Sequence, residues 1–327
     1  MAVLAFGDLH LDKSEIRLLT VLNFLDYIIE YVKEHKEIKS VINLGDTFHF
    51  SATKNNQFIP VFNKFYELSK IVKIYTIVGN HDTAEKSNDN TLSETFGSFG
   101  TFIKNNGTYE VEGLGKADFM SFSDDTDFIP NSSEILFCHQ SINGFWYNPN
   151  KQIENTLFSK EVFDKYLSVV SGHLHHCQQK DKFLFVGSPY PTNKGEANKK
   201  NYFAVIDENY NIKLEEYSHA PDYITIKAEE FNKSFDFTNK IVDVEISSKI
   251  ENFVKLRDIL LEKGAIEVNP VFLKEEIVED NAEHKVDANE GVIKSAAKYI
   301  NEIKDDKIDN NKLLECFKNI LKELKWK

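Results

Sequence analysis

Residues 41–49 read VINLGDTFH: an apolar, strand-forming run halted by Gly45, an acid (Asp46) directly behind the glycine, and a histidine (His49) three residues later. β-Branched and apolar residues favour a pleated, buried segment, and glycine punctuates it. The same grammar recurs on both sides. Residues 3–10 read VLAFGDLH, 74–82 IYTIVGNHD, 135–140 ILFCHQ and 168–175 SVVSGHLH. Between the first three runs, apolar residues fall at helical spacing. Residues 14–34 carry Ile16, Leu19, Val21, Leu22, Leu25, Ile28, Ile29 and Val32; residues 56–70 carry Phe58, Val61, Phe62, Phe65, Tyr66 and Leu68. Strands alternating with helices predict a layered α/β fold. Further strands are expected at 108–112, 117–122, 134–138, 168–171, 182–186, 202–206 and 212–217. Chemistry-bearing residues thus stand repeatedly just past strand ends, the edge at which α/β sheets bind ligands.

The 327 residues are 41% apolar and 28% charged, which excludes a disordered chain. No apolar run approaches the ~18–20 residues that span a bilayer. The N-terminus lacks a basic region before its short apolar stretch, so no signal peptide is expected. Cys138, Cys177 and Cys316 are too few and scattered for a disulfide framework. A soluble, cytoplasmic protein is the expectation. The net charge is −13, and only two of 39 basic residues, Arg17 and Arg257, are arginines. A chain that gripped nucleic acid through its own surface would carry the opposite sign. If it acts on nucleic acid, a metal centre, a local lysine patch or a partner must offset that repulsion.

The character changes after about Pro221. Strand-like runs at Ile224–Ala228 and Ile241–Ile246, an amphipathic helix near 249–263 and a strand near 266–273 form a small α/β unit. Residues 271–290 hold seven acids against two lysines, a solvated linker. Two helical patterns follow, one with Val292, Ala296, Ile300 and Ile303, the other with Leu313, Leu314, Phe317, Ile320, Leu321 and Leu324. The divisions read 1–220, 221–273, 274–290 and 291–327.

Six of the ten histidines lie in the strand-end motifs (His10, His49, His81, His139, His173, His175) together with Asp8, Asp46, Asn80 and Asp82. Imidazole, carboxylate and amide oxygen together suit Mn²⁺, Fe²⁺ or Zn²⁺, and a carboxylate between two histidine-bearing half-sites suits a bridged metal pair. Any one tetrapeptide is an ordinary polar turn; the ordered set is not. The glycine opening four of the motifs is read as a tight-turn residue, and Asp46 is expected at a surface edge. His35, His219 and His284 read as surface, His176 as facing away from its neighbour, and Cys138 as core. Phe145 and Trp146 either stack on bases or pack in a loop.

The ordered motifs resemble the calcineurin-like metallophosphoesterase superfamily. Within it the chain is similar to the SbcD-type, meiotic-recombination-eleven DNA nucleases, and especially to bacteriophage recombination endonuclease subunits. The closer likeness rests on His49 in GDTFH, on VGSPYPTNKGE (residues 186–196) after GHLH, and on the acidic linker with its terminal hairpin. The resemblance implies a metallophosphoesterase β-sandwich flanked by helices, with a small capping domain at 221–273. It implies two divalent ions, Mn²⁺ or else Mg²⁺: Asp8, His10 and His175 for one, Asn80, His139 and His173 for the other, and Asp46 bridging. His81 would be the general acid, oriented by Asp82, and His49 would contact the scissile phosphate. The implied activity is 3′→5′ exonuclease on duplex ends and endonuclease on single strands, in DNA repair and recombination. The implied partners are DNA, a second copy of the chain and an SbcC-type coiled-coil ATPase docked on the hairpin, in a bacterium or phage-infected cell. Apolar faces at 56–70 and 91–103 are offered for self-association, with core packing as the alternative. The rival reading is a metallophosphodiesterase of nucleotides or other small phosphodiesters. The GDxVDRG and GNHE patterns of protein phosphatases are absent.

Overall fold

The computed structural model describes residues 1–50, 54–83, 91–123, 129–148, 150–231, 235–246, 250–272, 300 and 309–323. The chain divides into two compact units, Met1–Leu273 and Lys274–Lys327. The first is built on two six-stranded mixed sheets, as the α/β reading expects. One sheet orders its strands β14-β13-β1-β2-β3-β4, namely Ile212–Glu216, Tyr202–Asp207, Ala2–Phe6, Ile38–Asn43, Lys73–Thr76 and Thr101–Phe102. The other orders β11-β12-β10-β7-β6-β5, namely Gln178–Lys180, Phe183–Phe185, Ser168–Ser171, Ile135–Cys138, Gly115–Met120 and Gly107–Val111. β1, β2 and β3 run parallel, as do β6, β7, β10 and β12.

Period-two alternation explains why β1 is apolar throughout. Val3 and Ala5 face inward and pack with Val170 and Leu184 of the other sheet, while Leu4 and Phe6 face outward. The outer face is covered by α1 (Glu15–Glu34) and α2 (Asn55–Ser69). Ser14 caps α1, its hydroxyl accepting from the Arg17 amide, and Val21, Phe24, Leu25, Ile28, Ile29 and Val32 turn inward at 3–4 spacing. Leu19, counted above with the apolar stripe, is 56% exposed instead. A 3₁₀ segment, Leu92–Ser98, drops Phe96 onto Phe65 with ring centroids 4.6 Å apart. The apolar faces of 56–70 and 91–103 are thus largely spent inside the chain: Val61, Phe65, Leu68, Phe96 and Ile103 are buried, leaving Ile59 and Tyr66 exposed.

The outer face of the second sheet carries loops rather than an α-helix among the described residues. Phe145, Ile153, Phe158 and Phe163 pack there on Val169, Phe183 and Phe185. This layer includes a hairpin not foreseen in the sequence, β8 (Trp146–Asn148) with β9 (Lys151–Gln152). Within the same unit, β15 (Asp222–Lys227), β16 (Lys240–Ile246) and β17 (Glu267–Phe272) form a parallel three-stranded sheet. α3 (Ile250–Glu262) provides the crossover and buries Phe253, Leu256 and Leu260. Pro270 lacks an amide donor and lies on edge strand β17.

In the second unit, α4 (Asn310–Glu323) is capped by Asp309, whose carboxylate accepts from the amides of Asn311 and Lys312. The acidic linker at 274–290 and, Ile300 apart, the first helix of the expected hairpin lie outside the described residues. Among those described, no helix is long and apolar enough to cross a membrane.

Candidate metal centre

The five parallel strands β1, β2, β3, β7 and β10 end at one rim, and their motifs meet there across the two sheets. His139, past β7, donates from Nδ1 to the Leu44 carbonyl at the end of β2 (2.7 Å). The His173 amide, past β10, donates to both carboxylate oxygens of Asp8, past β1 (3.0 and 3.1 Å). The Asp46 Oδ1 accepts from the His81 amide (2.8 Å), tying the β2 turn to the β3 turn. The site is a seam between sheets, so neither sheet holds it alone.

Backbone geometry shows how the seam is made. Asp8, His10, Asp46 and His173 all have positive φ (56°, 46°, 50° and 82°). Side chains with a Cβ avoid that region, and such strain clusters where function requires it. The turn reading of the glycines holds only for Gly45, whose φ is +93°. Gly7, Gly79 and Gly172 serve close approach instead. A Cβ on Gly79 would stand 2.1 Å from Asp46 Oδ1, and one on Gly172 would stand 2.8 Å from the Leu44 carbonyl oxygen.

Two clusters of ligand atoms result. Asp8, His10 and His175 bring theirs within 4.8 Å of one another, and so do Asp46, His139 and His173. Asn80 joins the second, its Oδ1 2.8 Å from His173 Nδ1 and 3.2 Å from His139 Nε2. Asp46 Oδ2 lies between the two clusters, 3.6 Å from His10 Nε2 and 3.3 Å from His139 Nε2. Asp46 is 2% exposed, so the expected surface edge is wrong: the bare backbone of Gly79 closes over it. A third cluster, His10, His49 and His81, forms the outer wall. There His49 Nδ1 is 3.3 Å from His10 Nδ1, and its ring stacks on His81 at 4.8 Å.

The donors fit divalent cations on two observations. First, His10 Nε2 is buried without a hydrogen-bond partner, an expensive state unless something binds it. Second, Asp8 and Asp46 are buried, and among the described residues no lysine or arginine pairs with either. Their neighbours register the missing positive charge. Burial pushes the Asp8 carboxyl up to about 6 against the pull of His139 and His175. Burial works to lower His139, yet the Asp46 and Asp8 carboxylates raise it to about 9. Burial takes His173 down to about 3, leaving a neutral imidazole with a lone pair to give.

Supporting contacts fix which nitrogen each ring offers. His139 spends Nδ1 on the Leu44 carbonyl, and His175 directs Nδ1 at Glu196 Oε1 (2.8 Å). His173 directs Nε2 at the Ser141 hydroxyl (2.7 Å). Such partners orient metal-binding imidazoles and raise their basicity. Glu196 and Ser141 were not singled out in the sequence. Glu196 does fall in the quoted VGSPYPTNKGE segment, where being its only acid was the available signal. Asp82 also differs from its implied role. It is fully buried and accepts from the amides of Phe48 and Gly79 (3.0 Å each), and the His81 ring donates from Nδ1 to the His49 carbonyl instead (3.2 Å). The carboxylate turns inward beneath the turn and braces its backbone. Arg17 lines the cavity, of about 320 Å³, but its guanidinium donates to the carbonyls of Pro191 and Thr192.

The other candidates sort cleanly. His176 joins neither metal cluster, and Cys138 is buried on the far side of its strand from His139. Phe145 is 2% exposed and packs on Phe185, whereas Trp146 is 46% exposed. His35 stacks on Tyr31 at the end of α1, and His284 lies outside the described residues. No curated protein matches the chain significantly. A family model described as calcineurin-like phosphoesterase (Metallophos) matches residues 1–223.

Proposed function

The chain belongs to the calcineurin-like phosphoesterase family and is a metal-dependent phosphoesterase; we propose that it is a two-cation phosphodiesterase acting on nucleotides or other small phosphodiesters. The observation that carries this is Asp46 Oδ2, set between His10 Nε2 and His139 Nε2 at 3.6 and 3.3 Å. Asp8, His10 and His175 would hold one cation, Asn80, His139 and His173 the other, with Asp46 shared. When bound, such a pair supplies Lewis acidity and a nucleophile at neutral pH.

The chain's own residues do the rest. Glu196 and the Leu44 carbonyl keep His175 and His139 in their binding tautomers, and Ser141 orients the His173 ring. His81 spends Nδ1 on the His49 carbonyl and lines the cavity, so Nε2 is the nitrogen left for the leaving oxygen, and a ring protonated at both nitrogens would give it that proton. The burial of Asp8, His10 and Asp46 keeps water off the would-be ligand atoms themselves. The test is hydrolysis of bis-p-nitrophenyl phosphate with Mn²⁺, with and without EDTA; activity that survives exhaustive chelation refutes the reading.

A second reading, a DNA nuclease working with an SbcC-type ATPase and DNA, draws on one specific observation. His49, the residue on which that closer likeness rests, stands in the site beside His10 and His81. Mn²⁺-dependent shortening of linear duplex DNA, by chain or chain plus ATPase, is its test. Hydrolysis of the small diester with duplex left intact in both reactions removes it.

A further inference from the structure

A second cavity, of about 440 Å³, adjoins the metal site and shares His175 with it, while Glu196, the partner of His175, lines the second cavity. Small-molecule sites typically measure about 300–1,000 Å³. Strand β8 contributes to both cavities. Successive residues of a strand face opposite ways; here Tyr147 lines the metal cavity and Trp146 lines the neighbouring one.

The indole of Trp146 is an exposed aromatic in a fixed frame. Gln178 clamps its backbone from both sides, the side-chain oxygen accepting from the Trp146 amide (2.9 Å) and the side-chain nitrogen donating to its carbonyl (2.7 Å). In the same lining the Lys199 ammonium stands 2.6 Å from His176 Nε2, while its neighbour Lys200 pairs with Glu216 (2.7 Å). A planar ring, the Lys199 cation and a shared wall with the candidate metal ligand His175 favour one kind of occupant: a planar heterocycle joined through a sugar to phosphate. An aliphatic diester such as a glycerophosphodiester would leave the indole without a stacking partner.

We propose that this cavity is a nucleobase subsite, in which Trp146 stacks on the base beside the scissile phosphodiester and Lys199 meets its phosphate oxygens. The inference rests on the phosphodiesterase reading and narrows its substrate to nucleotide-derived diesters. Stacking on an aromatic accepts any base, so the subsite confers nucleotide selectivity without sequence selectivity.

The experiment has two arms. In a Trp326→Phe background, which leaves Trp146 as the sole tryptophan, fluorescence is titrated with thymidine 5′-monophosphate and with ribose 5-phosphate, without metal. Saturable quenching by the first alone is expected, with affinity on the order of tenfold weaker in Lys199→Ala. In the second arm, Mn²⁺-dependent hydrolysis of a thymidine dinucleotide is compared with that of its abasic counterpart. The wild-type chain should prefer the dinucleotide through KM by on the order of tenfold, as one stacked base allows, and Trp146→Ala should abolish the preference. Equal quenching by both ligands, or a preference unchanged in Trp146→Ala, overturns the subsite. Quenching by thymidine 5′-monophosphate alone, in a chain that hydrolyses neither diester, supports the subsite and removes the phosphodiesterase reading instead.

Discussion

The two oxygens of Asp46 have separate tasks, and one substitution distinguishes them. Oδ1 accepts from the His81 amide, a structural contact, while Oδ2 faces His10 and His139. Asp46→Asn keeps an acceptor for the amide but replaces the ionised oxygen with an NH₂ group that cannot bind a cation. The variant should remain folded, with an unchanged circular dichroism spectrum, bind fewer than two Mn²⁺ per chain and lose at least about a hundredfold in hydrolysis. Near-wild-type turnover would remove Asp46 from the bridging position. His81 calls for the opposite pattern, since its ring lines the cavity outside both metal clusters. His81→Asn should retain two Mn²⁺ by elemental analysis and slow cleavage by roughly 10²–10⁴-fold, the usual worth of a general acid. A drop to one metal would make His81 a ligand.

At the level of elements, the decisive units are the turns at strand ends. All four of their glycines stand where no Cβ fits, and Gly79 is the tightest. A Cβ there would lie 2.1 Å from Asp46 Oδ1 and 2.4 Å from the Asp46 backbone nitrogen. Backbone cannot swing aside as a flexible side chain does, so Gly79→Ala must separate the β2 and β3 turns. Overpacking of this kind costs about 1–3 kcal/mol. The variant should melt several degrees lower and lose Mn²⁺-dependent hydrolysis even at saturating metal; wild-type activity and melting would show that the turns are looser than described. The strand-end glycines were legible as punctuation, but their role was not. Gly79 meets Asp46, 33 positions earlier in the chain, and no local pattern reports such a contact.

On the scale of the whole molecule, the first unit brings two sheets together with buried carboxylates along the seam. Asp8 and Asp46 repel each other; the imidazoles outweigh that repulsion and hold Asp46 low, but burial still leaves the Asp8 carboxyl raised. A cation that binds the folded state alone stabilises it by mass action, about 2.7 kcal/mol at a hundredfold excess over its dissociation constant. For a unit of this size that corresponds to a rise in Tm on the order of 5 °C. Differential scanning fluorimetry with Mn²⁺ against EDTA should show it, and Asp46→Asn should show less. An identical Tm in both conditions would mean that the seam is stable without a cation and that the unpartnered His10 nitrogen has another explanation.

The sequence by itself determined the layered α/β fold, the strands that carry the motifs and the grouping of Asp8, His10, Asp46, Asn80, His139, His173 and His175 at strand ends. It could do so because these depend on local periodicity and on residue types that repeat at strand termini. Only the tertiary structure decided that Asp46 is buried, that Asp82 braces a backbone turn, and that Glu196 rather than a nearer residue holds His175. It also separated Phe145 from Trp146, adjacent aromatics of which one fills the core and the other faces a cavity. The physical reason is common to all four. Burial and hydrogen-bond partnership are set by chain segments remote in sequence that pack at the seam, whereas propensity and alternation act over only a few residues.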